Sequence, residues 1–200
     1  MAKINKPKEE IDYAKVDKLT QEIAKRLKEI RELYLKEYPQ GDYMSLTIWK
    51  DSILFAEHSP IRLVEYRISW TGIKQWVTVH FVRHFLGVEK FVHSQREDRR
   101  DLRIPRDELP QGTENDMDYV VNAQSIINIS RKRLCNCASK ETREVWEATR
   151  DKMKEIDPIM AKHMVRECVY RGFCPELKCC GFVNTSKFQE ELSNYRTKIQ

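Results

Sequence analysis

Apolar residues at Val16, Leu19, Ile23, Leu27, Ile30 and Leu33 advance in steps of three and four, the period of an amphipathic helix. The Lys, Glu and Arg residues between them form its wet face, and Pro39 and Gly41 close it. The period drops to two over 63–70. There Val64, Tyr66, Ile68 and Trp70 alternate with Glu65, Arg67 and Ser69, which predicts a half-buried strand broken at Thr71-Gly72. Ile73, Val77, Phe81, Phe85 and Val88 return to helical spacing and predict a helix over 73–92. Pro105, Pro110 and Gly112 punctuate 96–116 as a loop. Two more helices are predicted, over 118–134 and from Ser139 as N-cap to about Ile156, ahead of Asp157-Pro158. Residues 1–12 are polar, 13–160 form the main unit, and 161–200 are a cysteine-rich extension; no internal repeat is present.

Composition narrows the classes. Two hundred residues with 40% hydrophobic content can build one ordinary core. A formal charge of +5 is a mild basic excess, so no nucleic-acid partner is expected and an anionic small molecule is equally compatible. The amino terminus lacks the apolar stretch of a secretory signal. No run approaches the roughly 20 apolar residues needed to cross a bilayer. The expectation is a soluble, cytoplasmic protein without a membrane partner, its six cysteines reduced. Cys168 and Cys174 stand too far apart for a zinc knuckle, and adjacent Cys179-Cys180 rarely share one ion. No metal is expected.

Three groups carry candidate chemistry. His80 and His84, four apart, fall on one face of the predicted helix beside Arg83. Without a His-Glu-x-x-His pattern, two half-exposed histidines are the plainer reading. Ser94-Gln95-Arg96 opens a stretch with Arg99, Arg100, Arg103 and Arg106, interleaved with Glu97, Asp98 and Asp101. Arginine forks suit a phosphate or carboxylate, although pairing with these acids accounts for them equally. Asn122 and Arg133, eleven apart, would project from one face of the predicted helix 118–134.

Taken in order, these residues resemble a known family. Arg83-His84-Phe85, eight residues, then Ser94-Gln95-Arg96 resembles the Arg-His-Arg…Ser-x-Arg signature of flavin-dependent thymidylate synthases, the ThyX family. His58-Ser59-Pro60 is similar to the family's His…Thr-Pro stretch. Asn122-Ala123-Gln124-Ser125, with Asn128 and Arg133 behind it, resembles the family's Asn-Ala-Arg-Ser helix and later arginine. The resemblance spans about 50–155 and is to a short, divergent member of the kind phages encode.

It implies an α+β fold, an antiparallel sheet with long helices, and active sites between the subunits of a homotetramer. The implied reaction is reductive methylation of dUMP to dTMP, with FAD as cofactor and methylenetetrahydrofolate and NADPH as co-substrates. By the same resemblance Ser59, Arg83, His84, Asn122, Gln124 and Asn128 hold FAD. His80, Ser94, Arg96 and Arg133 hold the nucleotide, and Ser94 and Arg133 are the catalytic candidates. The Arg83-His84 segment and the Asn122 helix are then expected to meet across subunit boundaries. Phe85, Gln124 and Cys137 depart from the family pattern, and no helix with a phosphate-binding arginine is found between Ser94 and Asn122. Two alternatives therefore stay open: an FAD and folate enzyme acting on dCMP or making a hydroxymethyl product, and a non-catalytic module keeping the fold.

Overall fold

The computed structural model describes residues 46–96 and 104–199, with scattered positions between 22 and 36. The described positions of that early stretch are helical, and Ile30 packs on the core. The polar segment 1–12 and Arg99, Arg100 and Arg103 lie outside the described residues.

Helix α1 (Leu46–Phe55) leads through a short turn (Ser59–Leu63) into strand β1 (Glu65–Lys74). Helix α2 (Gln75–Val82), strand β2 (Val88–Val92) and strand β3 (Glu114–Asn122) follow, then helices α3 (Ala123–Arg133) and α4 (Lys140–Ile156). The extension folds as α5 (Pro158–His163), α6 (Glu167–Arg171) and α7 (Ser186–Arg196). Helix α5 runs across the 160/161 boundary drawn from composition. The strands make one antiparallel sheet in the order β1-β3-β2. This is the α+β class expected, with a small antiparallel sheet and several helices.

Two predicted helices need correction. The one expected over 73–92 is helical only over Gln75–Val82, because Gly87 adopts φ +64 and reverses the chain into β2. His80 and His84 are therefore not successive turns of one helix; His84 follows it. The helix expected over 118–134 fuses a strand with a helix. Asn115, Met117, Tyr119 and Val121 are buried and alternate with more exposed neighbours, the period of β3. Asn122 ends that strand and caps α3, its Oδ1 accepting from Ser125 N at 2.9 Å. Asn122 and Arg133 thus mark the two ends of α3 rather than one face. The strand read at 63–70 exists and continues through a bulge at Gly72, φ +66, to Lys74. Ser139 caps α4 as expected, accepting from Thr142 N at 3.4 Å.

The sheet's inner face meets α2 and α4 in a cluster of large aromatics. Trp70 stacks on Phe81, with centroids 4.8 Å apart and planes 7° from parallel, and Tyr119 and Trp146 close against both. Burying each such ring stabilises the fold by about 1.5–3 kcal/mol. Their polar tips are paired: Trp70 Nε1 donates to Thr149 Oγ1 at 2.8 Å, and Trp146 Nε1 to Ser130 Oγ at 2.9 Å. The Tyr119 hydroxyl donates to the Phe81 carbonyl, which ties the middle strand to the last turn of α2.

A second apolar cluster of Val165, Cys168, Val169, Phe182, Phe188 and Tyr195 supports the extension. Buried carboxylates bind it to the main unit. Asp51 of α1 accepts from Lys162 Nζ at 2.8 Å and sits 2.9 Å from His163 Nε2. Asp157 caps α5 and takes the Lys50 ammonium and the Tyr66 hydroxyl, the latter at 2.8 Å. Among the described residues no helix is long and apolar enough to cross a membrane.

Candidate active site

The segment from His84 to Gly87 lies along α3 from its last residue to its cap. At one end Arg133 Nε donates to His84 Nε2 at 2.9 Å. In the middle Ser125 Oγ donates to the Leu86 carbonyl at 2.5 Å, and at the other end Asn122 N donates to the Gly87 carbonyl at 3.0 Å. Gly87 is required here for two reasons. Its φ is positive, and a Cβ at that position would stand 2.2 Å from Asn122 Nδ2.

Arg133 is the hub. Its Nη2 donates to the His80 carbonyl at 2.7 Å, covering an orphan acceptor at the end of α2. Ser139 Oγ donates to Thr142 Oγ1 at 2.7 Å, and Thr142 Oγ1 lies 2.9 Å from His80 Nδ1, so the cap of α4 orients that ring. Lys90 of β2 reaches back to the His84 carbonyl at 2.8 Å. Because Arg133 can only donate, His84 Nε2 must accept, and the imidazole is neutral with its proton on Nδ1.

The charges agree with that assignment. Burial and then the Arg133 and Lys90 cations push the His84 pKa down to about 4. Burial, Arg133 and Arg83 lower His80 as well, against a smaller opposing effect of Glu141. Burial depresses Arg133 itself, and the neighbouring Arg83 adds to it. Arg83, Lys90 and Arg133 thus gather round two neutral imidazoles. Such a cation-rich corner suits an anion with oxygens to be gripped, a phosphate above all.

The other sequence candidates separate into two groups. Asn122, Gln124 and Asn128 all ride on α3 or its cap, and exposed Ser59 opens the turn packed beside it. Gln124 Nε2 donates to Glu57 at 2.6 Å, and Asn128 is exposed with its Oδ1 3.5 Å from Arg131 Nη1. Glu57 also pairs with Arg131, whose guanidinium lies 3.5 Å above the Tyr170 ring. Ser94 and Arg96, by contrast, follow the far end of β2, five residues beyond the Gly87 turn and exposed. At about 3.4 Å per residue that strand alone separates them from His84 by some 17 Å. Within one chain they do not join the Arg133 corner.

The resemblance places the Arg83-His84 segment and α3 together across subunits; within the chain they already touch. Lys90, Ser139 and Thr142 are site residues that the sequence reading missed. For Lys90 the signal was Gly87, whose reversal brings β2 back toward His84; for Thr142 it was the Ser139 cap.

The structure so far is an α+β chain with a three-stranded antiparallel sheet and a cation-rich corner where three helices and an edge strand meet. Comparison with known proteins makes it more specific. The family model described as Thy1, Thymidylate synthase complementing protein, matches residues 104–159, which contain β3, α3 and α4. The fold matches the crystal structure of Thymidylate Synthase X (ThyX) from Helicobacter pylori with FAD and dUMP. That match has a TM-score of 0.51 and 14% identity, covering 69% of this chain and 94% of that one. No curated protein matches the sequence. The fold is ThyX-like. The matched segment includes Asn122, Gln124, Asn128 and Arg133 and leaves out Arg83, His84, Ser94 and Arg96.

Proposed function

We propose that the protein is a flavin-dependent thymidylate synthase working in the cytoplasm, converting dUMP to dTMP. The observation that carries the reading is the Arg133–His84 contact within a cation-rich corner of a ThyX-like fold. FAD fits these residues. Its pyrophosphate needs fixed cations and its ring edge needs amides, and Arg83, His84, Asn122, Gln124, Asn128 and Ser59 supply both kinds around α3. When bound, FAD supplies the redox and one-carbon transfer chemistry, with methylenetetrahydrofolate as carbon donor and NADPH as reductant.

The chain's own work is positional and electrostatic. The Arg133 guanidinium, held by the His80 carbonyl and His84, stays aimed and stabilises negative charge developing on a uracil carbonyl. Neutral His84 keeps its Nδ1–H as a donor, and exposed Arg83 offers a guanidinium fork. Ser94 and Arg96 hold the nucleotide of a neighbouring protomer's corner, which makes the working particle a homo-oligomer, a tetramer by resemblance. Exposed Phe85, Leu86, Phe91 and Val92 on the same edge of the sheet support that association.

One observation favours a second reading. Residues 104–113 hold only a short turn at Arg106–Glu108, with no helix to present a phosphate-binding arginine. A related FAD and folate enzyme with dCMP as substrate, or a hydroxymethyl product, accommodates that difference among the described residues.

The visible spectrum of purified protein, followed by chromatography of the products from dUMP, folate donor and NADPH, tests both. A flavin spectrum with dTMP formed supports the first reading. Flavin with turnover of dCMP alone, or a hydroxymethyl product, supports the second. A colourless protein that takes up no added FAD overturns both and leaves a non-catalytic module.

A further inference from the structure

Ser94 and Arg96 leave the sheet directly after β2, and the residue before them is held from both faces. On the inner face stands Asn115, a buried amide in a row that otherwise carries Met117, Tyr119 and Val121. Its Nδ2 donates to the His93 carbonyl at 3.0 Å and to Gln75 Oε1 at 2.9 Å. One side chain thus joins the start of α2 to the exit of β2. An amide buried among apolar neighbours is unfavourable unless hydrogen-bonded, and these bonds offset that penalty. The His93 N–H donates to the Asp116 carbonyl at 3.0 Å, continuing the ladder past Val92.

The outer face holds the ring. His93 Nε2 lies 3.1 Å from Asp118 Oδ2, and Nδ1 lies 3.8 Å from Asp116 Oδ2, so the imidazole sits between two carboxylates of the middle strand. A carboxylate only accepts, which puts a proton on Nε2 towards Asp118. Both carboxylates are themselves fixed. Ser69 Oγ donates to Asp118 Oδ1 at 2.5 Å, and the Gly72 N–H donates to Asp116 Oδ1 at 2.9 Å. Arg67 Nη2, 3.8 Å from Asp118 Oδ1, adds a cation from β1. A polar line therefore crosses the sheet from β1 through β3 to His93. Beyond it the chain turns at once, the Arg96 N–H donating to Ser94 Oγ at 3.3 Å.

We propose that His93 is a positioning residue for the pyrimidine nucleotide, its Asp118-bound ring setting where Ser94 and Arg96 are presented. The inference rests on the nucleotide-holding role proposed above for those two residues. The anchors divide the task. Asn115 holds the main chain at one carbonyl, and the ring on the opposite face stops the strand end from twisting about that point. An arginine fork engages a phosphate in two places only when its backbone is held in register. A segment ordered in advance also loses less freedom on binding. The His93 side chain is 50% exposed, so its pairing with Asp118 adds little to global stability. Binding and folding effects can therefore be read separately.

The test measures dUMP and dCMP binding to the FAD-loaded, full-length protein by calorimetry, with turnover followed in parallel. His93→Ala is expected to weaken nucleotide binding about tenfold, the scale of one lost charge-assisted hydrogen bond. It should raise KM rather than lower kcat, with the flavin spectrum and thermal melt of the parent. His93→Gln, whose amide can still donate to Asp118, should restore most of the affinity. Asp118→Ala should reproduce the loss, and the double variant with His93→Ala should lose no more than either single change. Parental affinity in folded His93→Ala overturns the proposal, as do additive losses in the double variant. Equal weakening by Glu89→Ala, an exposed change elsewhere on β2, overturns it as well. If the unaltered protein binds FAD but neither nucleotide, the functional reading itself fails and this inference falls with it.

Discussion

Arg133 donates its Nε proton to Nε2 of His84 at 2.9 Å, a bond from a group that cannot accept to a ring that must therefore be neutral. The pair connects the last residue of α3 with the second residue beyond α2, and each side chain fixes the other's orientation.

Replacing Arg133 by Ala is expected to reduce turnover about 10²–10³-fold while FAD remains bound, the usual effect of deleting one charge-stabilising donor. The His84 ring should then titrate at higher pH, since the Arg133 charge helps to depress it. Steady-state kinetics and ring NMR read the two effects separately. Near-normal turnover would reduce Arg133 to a helix-end cap for the His80 carbonyl.

His84 should also impose a pH dependence on stability. The folded ring titrates near 4, and an unfolded histidine titrates at about 6.5. As pH falls through that window the unfolded chain binds the proton first, so stability declines from about 6.5 towards 4 and is unaffected above it. Urea unfolding at a series of pH values should show this slope, and His84→Gln should reduce it, the rest coming from His80 and His163, which burial also depresses. An unchanged slope in the variant would place the titration elsewhere.

Gly87→Ala is expected to destabilise the protein by about 2 kcal/mol, from the positive φ and from collision with the Asn122 amide and Ser125 hydroxyl. FAD affinity should fall with it, because the same collision displaces the cap of α3. A thermal melt indistinguishable from that of the parent would show that the turn relaxes freely.

Asp157 holds Lys50 and the Tyr66 hydroxyl in a buried setting and caps α5. Asp157→Ala strands the Lys50 ammonium and should cost about 3–5 kcal/mol in chemical denaturation. A loss below 1 kcal/mol would mean that Lys50 escapes to solvent.

Local patterns that concern one element were legible in the sequence. Val64 to Trp70 announce a strand, and Ser139 with Asp157-Pro158 brackets α4 closely. Boundaries where one element runs straight into the next were not. Tyr119 and Val121 have the period of a strand, but without a turn between them and Ala123 the apolar run merges into α3. Asn122 carries the transition by capping, a signal hidden by its being read as a helical residue. At Gly87 the turn residue was visible, yet Phe85 and Val88 continue a helical period by coincidence; Phe85 is in fact exposed. For the site, the residues on α3 and at Arg83-His84 were identifiable because they form short runs. Lys90 and Thr142 reach it only through tertiary packing, which no linear spacing reports. The extension was opaque because α6 has five residues and α7 a weak apolar stripe, and both rely on contacts with the main unit.

The middle strand of the sheet is the last to be made. A ribosome completes β1 and β2 before any of β3 has emerged, and neither outer strand has a partner until residues 114–122 are available. At about 5–20 residues per second, the roughly fifty residues from the end of β1 take a few seconds to appear. During that interval Tyr66, Trp70 and Phe91 stand on unpaired edges. Nascent chains of this protein therefore pass through a vulnerable period that ends abruptly when Met117, Tyr119 and Val121 arrive.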